Sequence, residues 1–436
     1  MIKSLLFPLV LVLCAAAPPD EVPAVVHPAE GRSLRLCRDS LTIVFDRRIH
    51  AFYGGTAGSI DEDIRSPKSV NISPDGSRFY INSLEGFRTV AYTLPDFTKA
   101  GVVTHRFDSA DSFLWAPESG LFPETSPVKE PRTFSGRPVE AAFSHGGRYL
   151  WVPYYRRSHD LNAQDPSALA VIETAENKIV RLFETGALPK MIACSPDGRY
   201  MAVTHWGDNT VGVLRIDSER PEDWHYISCY TVDRKLNLNF SRRAVVNRDV
   251  NSGYCLRGTV FTPDNRYLLV SCMGGTAGIA VIDLKENRYL GRIGGCMPNM
   301  RHILIHNGIL YASINNKGYV QKMPLARIYD AIGQLREVTA EPRIVSLDGW
   351  QNCKVPAGAR TIVISPDGRF IFAACNFSSC IAVVDARSMT LLGSFPADSF
   401  PVGLDISPDG SWLISTSQGR SGRGGNAVDI FRLVTR

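Results

Sequence analysis

The chain lacks the local signatures of most catalytic centres. It has no Gly-x-Ser-x-Gly elbow, no His-Glu-x-x-His and no Gly-Lys-Ser/Thr phosphate loop, which removes the motifs of serine hydrolases, zinc proteases and P-loop enzymes. Its glycine-rich stretches, at Gly274-Gly275 and over 422–425, precede no helical segment and read as turns. Cysteines are scattered, with no CxxC pair, no CxxCH and no His/Cys zinc spacing, and an odd number follows Cys14. Neither a disulfide framework nor a metal site is expected from such a set. Cys375 and Cys380 alone flank a short hairpin connection, where they would face each other, open to bridging. No apolar run reaches the roughly 20 residues a membrane helix needs. Helical segments do not alternate with strands, which argues against a parallel α/β fold. The formal net charge of +5 is too mild to imply nucleic acid.

What is present begins at the N-terminus. Lys3 gives a positive start, residues 5–14 form a short apolar run, and Ala15-Ala16-Ala17 offers small residues for cleavage. Residues 1–17 therefore read as a secretory signal, and Pro8 argues further against a membrane helix. This predicts an exported protein of the periplasm or cell surface. Cys14 gives a second reading as a lipid anchor, although Leu13 stands where such signals carry a small residue. Residues 18–38, rich in Pro and Ala, read as a linker, and 39–436 as one domain.

The dominant signal is an internal repeat. Ser73-Pro74-Asp75-Gly76 recurs at Ser195-Pro196-Asp197-Gly198, Ser365-Pro366-Asp367-Gly368 and Ser407-Pro408-Asp409-Gly410. Weaker copies are Ser144-His145-Gly146-Gly147 and Thr262-Pro263-Asp264-Asn265, and His306-Asn307-Gly308 is a worn one. Proline presets φ, aspartate bonds its own backbone, and glycine or asparagine tolerates positive φ, so each copy is a β-turn. Alternating apolar residues precede each turn, as in Ile362 and Ile364, and aromatic or β-branched runs follow it, as in Phe370-Ile371-Phe372. Further strands follow each polar loop. Four short antiparallel strands per repeat predict an all-β, seven-bladed β-propeller with four-stranded blades. The last repeat shows only three strands, and a leftover strand at 40–45 is expected to complete it and close the ring. The one good helix candidate, 325–336, falls in a connection.

The segment Thr204-His205-Trp206-Gly207-Asp208-Asn209-Thr210-Val211, following Ser195-Pro196-Asp197-Gly198-Arg199-Tyr200, resembles the repeat of the YVTN-type, surface-layer-like β-propeller family. The resemblance runs from about residue 40 to 436, with a loose second and fifth repeat and several long insertions. It implies seven blades around a central channel and says little about activity. It also implies that the first strand of each blade lines the channel and ends at the Ser-Pro-Asp-Gly turns on the bottom face. The insertions at 108–138, 156–165, 233–253 and 348–358 then lie on top, where long loops suggest function.

Two registers stand out in that frame. Five residues before each turn come Lys68, Val139, Lys190, Arg257, Arg301, Arg360 and Val402, with Arg137 close by in the second repeat. Five of these seven are cationic and none is acidic, which predicts a ring of positive charge at the top of the channel. Arg234, Arg242, Arg243 and Arg248 lie in the insertion expected to overhang it. The second register, ten residues after the turn, holds His205 together with Cys272 and Cys375, on separate blades. Trp206, Asn316 and Asn376 follow as loop candidates for ligand contact. A cleft of one sign concentrates the opposite charge, and guanidinium suits carboxylate or phosphate.

The expected function is therefore an exported, non-catalytic binding or scaffold protein of the cell envelope. Its partner would be an anionic small molecule, an acidic glycan or a protein segment. No cofactor is expected, and nucleic acid is not expected either, because the basic residues form a ring and not a stripe with stacking aromatics. The alternative is a lactonase-like hydrolase using His205 or His302, Arg301, and Glu140 or Asp160.

Overall fold

The computed structural model describes residues 33–36, 41–51, 60–123, 130–241, 244–274 and 278–435. Residues 1–17, read above as a secretory signal, lie outside these residues, as do Arg242 and Arg243. Seven antiparallel sheets follow one another along the chain, and the first strand of each packs near that of its neighbours. The molecule is a seven-bladed β-propeller.

Turn chemistry sets the blades. Ser73 Oγ donates to Asp75 Oδ1 at 2.5 Å and accepts the Arg78 N–H at 3.0 Å, while the Gly76 N–H donates to the Ser73 carbonyl at 2.8 Å. Gly76 sits at φ +71°, a conformation only glycine adopts freely. The hydroxyl–carboxylate pair and the returning N–H recur at Ser195, Ser365 and Ser407, and Thr262 plays the serine's part in the fourth blade. The worn fifth turn differs in kind. Asn307 and Gly308, at φ +47° and +73°, join His306 directly to Ile309, a two-residue hairpin whose turn suits the strand twist.

Each sheet is too small to bury both faces alone, so apolar residues of adjacent blades share cores. Ile81 and Val90 of the first blade pack with Ile414, Val428 and Ile430 of the seventh. The predicted helix is Leu325–Glu337. It buries Ile328, Ile332 and Leu335 in the core of the fourth and fifth blades. After it, Ile344–Ser346 adds a parallel strand to the outer edge of the fourth blade. That edge is thereby covered.

Ring closure uses the N-terminal strand. Leu41–His50 runs antiparallel to Ala427–Thr435 along its whole length, with Leu41 opposite Thr435 and His50 opposite Ala427. Ser33–Leu36, inside the stretch read as linker, adds a fifth strand outside it, so the sheet begins before residue 39. A buried ion pair locks the join. The Arg48 guanidinium reaches Asp429 of the last strand at 2.5 Å and Asp398 of the preceding connection at 3.0 Å, and both carboxylates are sealed from solvent. Asp429 also accepts the Asp398 N–H at 2.7 Å.

Cys375 and Cys380 stand directly opposite each other across their hairpin. Both are free thiols. Among the described residues no helix is long and apolar enough to cross a membrane.

Removing Arg48 strands two buried carboxylates. Arg48→Ala is expected to lower unfolding free energy by about 3–5 kcal/mol in urea titration. Arg215→Ala, at an exposed pair with Asp217, should stay within about 1 kcal/mol of the parent.

Candidate functional site

The cationic register falls at one geometric position. In the first strands Pro67–Ile72, Pro189–Cys194, Leu256–Phe261, Met300–His306, Ala359–Ile364 and Pro401–Ile406, the second residue is Lys68, Lys190, Arg257, Arg301, Arg360 and Val402. Pairing with the next strand slips at that point in all six blades. A bulge leaves its residue unpaired and re-aims its side chain. Here it turns five cations toward one axis, at the end opposite the Ser-Pro-Asp-Gly turns.

Their mutual influence shows the convergence. Lys68 of the first blade feels Arg360 of the sixth, Arg257 of the fourth and Lys190 of the third. Burial, and then these neighbours, push its ammonium well below the usual lysine range. Burial, and then chiefly Arg257, does the same to Lys190. Burial and the facing guanidiniums also pull Arg360 and Arg301 downward. Lys68, Arg257 and Arg360 are buried, and Lys190 and Arg301 are half-buried.

Negative charge at the mouth is sparse. Glu140 Oε1 pairs with Arg257 at 2.8 Å. Asp249, from the overhanging insertion, contributes to the field at Lys190, Arg301 and Arg360. Among the described residues, no carboxylate lies within ion-pair distance of Lys68, Lys190, Arg301 or Arg360. The buried Nε atoms of Arg301 and Arg360 have no hydrogen-bond partner among those residues. A buried cation without a partner is costly.

The insertions brace one rim. Asn162 Nδ2 donates to the Ser241 carbonyl at 3.2 Å, and Asn162 Oδ1 accepts the Val246 N–H at 3.2 Å, tying the 156–165 loop to the 233–253 loop. Asp233 anchors the latter through Arg292 Nε at 2.9 Å and Tyr289 Oη at 2.7 Å. The Trp206 indole N–H donates to the Arg248 carbonyl at 3.1 Å, and the Arg248 guanidinium donates to the Gly207 carbonyl at 2.8 Å. Arg248 therefore braces the loop, while Arg234 is exposed. Trp206 and Tyr155 frame Lys190, whose Nζ lies 5.3 Å and 4.0 Å from their ring centres.

Other sequence candidates stand apart from this cluster. His205 is fully buried. Gly186 donates its N–H to His205 Nε2 at 3.0 Å, which puts the ring proton on Nδ1, beside Thr210 Oγ1 at 2.7 Å. Thr185 Oγ1 closes the set at 2.7 Å from Nε2. Burial pushes the imidazole down to about 3, and the ring joins blades rather than reaching the mouth. Arg137 pairs with Glu85 at 2.5 Å and lies over Phe87. Asn376 is buried and accepts from Asn315 Nδ2 at 3.2 Å, while Asn316 is exposed. Asp160 accepts the Asp165 N–H at 3.0 Å and serves its own loop. His302 does face the cluster, and burial pushes it down to about 4. Among the described residues, no three His, Cys, Asp or Glu side chains are placed to hold a metal.

Sequence reasoning passed over Tyr155 and Asp249, and placed Glu140 only in the hydrolase alternative. Tyr155 occupies the register of Trp206, one residue past the His205 position, so that register alone pointed to it.

No family model matches the chain. Antigen Lp49 of Leptospira interrogans is similar at 23% identity over 214 residues, which is 44% of this chain and 41% of that protein. The match therefore spans less than half of Lp49. In structure the chain resembles a hydrazine synthase chain of Kuenenia stuttgartiensis, with a TM-score of 0.58 and 14% identity, covering 88% of this chain and 100% of that one. At that identity the likeness is one of fold.

Glu140→Gln removes the carboxylate paired with Arg257. It should destabilise the fold by about 2 kcal/mol in denaturant titration. Anion binding at the mouth should tighten in the same variant.

Proposed function

We propose that the channel mouth binds a multiply charged anion, making the protein an exported binding or scaffold component of the cell envelope. The observation that carries this reading is the set of four cations without a carboxylate partner among the described residues. Two of them hold buried guanidinium nitrogens that lack a hydrogen bond there. A bound anion would supply the missing acceptors. Carboxylate and phosphate fit best, since a guanidinium fork meets their oxygens in pairs. The group belongs to an anionic small molecule, an acidic glycan or an acidic protein segment. The YVTN-type repeat resemblance and the reading of residues 1–17 as a secretory signal support an extracytoplasmic setting. A hydrolytic reading loses His205 and Asp160 to structural bonds and keeps His302, Arg301 and Glu140, the last already paired with Arg257, so binding is the simpler account.

Isothermal titration of the full chain with citrate, 2-oxoglutarate, a polyuronate and a sugar phosphate tests the proposal. At least one should bind, with affinity falling as salt rises. Arg360→Gln and Arg301→Gln should each weaken that affinity about tenfold or more, the worth of one charge-assisted contact. Absence of binding across the panel, or affinity indifferent to both substitutions, contradicts it.

A further inference from the structure

We propose that Lys190 is a carbonyl-reactive amine, and that the mouth takes a keto acid whose carbonyl carbon forms an imine with Lys190 Nζ. The inference rests on the anion reading, because the guanidiniums would hold the acid's carboxylates.

A lysine nucleophile must be unprotonated, reachable and beside a group that holds the substrate. The surroundings of Lys190 favour all three. Its Nζ lies 4.0 Å from the Tyr155 ring centre and 5.3 Å from that of Trp206, so the amine is fixed between two walls. As a whole residue it is partly exposed, whereas Lys68 is 8% exposed. No carboxylate among the described residues pairs with it. The charges that face it are Arg257, Arg360 and Arg301, with Asp249 opposing them. Guanidinium surrenders its proton far less readily than ammonium. Crowding of like charge at the axis is therefore relieved at the lysines. The aromatic faces attract an ammonium and oppose this, while burial, and then chiefly Arg257, push the ammonium well below its usual range.

The step balances without an oxidant. The Nζ lone pair adds to the carbonyl carbon, and the carbonyl oxygen takes up a proton to give a carbinolamine. Loss of that hydroxyl as water, with the remaining nitrogen proton, leaves a C=N bond in place of C=O. Arg301 and Arg360 would hold the carboxylates.

The test incubates the full chain with 2-oxoglutarate and sodium cyanoborohydride at neutral pH, and acetone replaces the keto acid in a parallel arm. Peptide mass spectrometry locates the label, and titration calorimetry with 2-oxoglutarate alone reads binding. The expected result is one dicarboxypropyl group at Lys190, at least about tenfold above any other lysine, and no such preference with acetone. Arg360→Gln should reduce that labelling. Binding with label spread evenly, or centred on Lys68, overturns the inference and leaves the anion site standing. Absence of both binding and label overturns the two together.

Discussion

Closing seven sheets into a ring brings the start of every first strand to one axis. Whatever side chain occupies that position must share space with its six counterparts. A bulge falls there in six blades, so the residue is released from the ladder and turned. Five cations meet as a result, from segments spread between residues 68 and 360. In an open sheet they would be separate solvated strand ends. The charge of the mouth is thus a property of closure, and closure depends on the strand pair locked by Arg48, Asp398 and Asp429.

Such a mouth works against the stability of the fold. Like charges repel, and burial raises the cost of each. The structure offsets part of this with Glu140, with the field of Asp249, and with the aromatic faces around Lys190. It leaves Lys68, Lys190, Arg301 and Arg360 without a carboxylate partner among the described residues. Uncompensated charge of this kind is what an interior tuned only for stability would remove, and it commonly marks a functional site.

The blades were legible because each turn depends on a few residues whose chemistry is visible in order. Serine, aspartate and glycine recur since hydroxyl, carboxylate and positive φ are each needed. The cationic register followed once the turns were aligned. Its bulge did not, because a slip in pairing leaves no residue signature of its own. His205 misled for a related reason: the threonine that satisfies it, Thr185, comes from the neighbouring blade, a contact that only the fold discloses. Arg137 was placed near the ring by sequence proximity, and Glu85 of the adjacent blade claims it. Tyr155 hid in the second repeat, where the weaker turn Ser144-His145-Gly146-Gly147 drew less notice to the register it shares with Trp206. Asp249 belongs to an insertion outside the repeat and has no register at all.

The central claim is that an anion belongs within the ring. Anomalous diffraction from crystals soaked in selenate tests it most directly, since the selenium position is read without reference to any assumed ligand. The account predicts a strong peak at the channel mouth, within hydrogen-bond distance of Arg301 and Arg360. Selenate found only on the outer surface, with those guanidiniums turned from the axis, would contradict it.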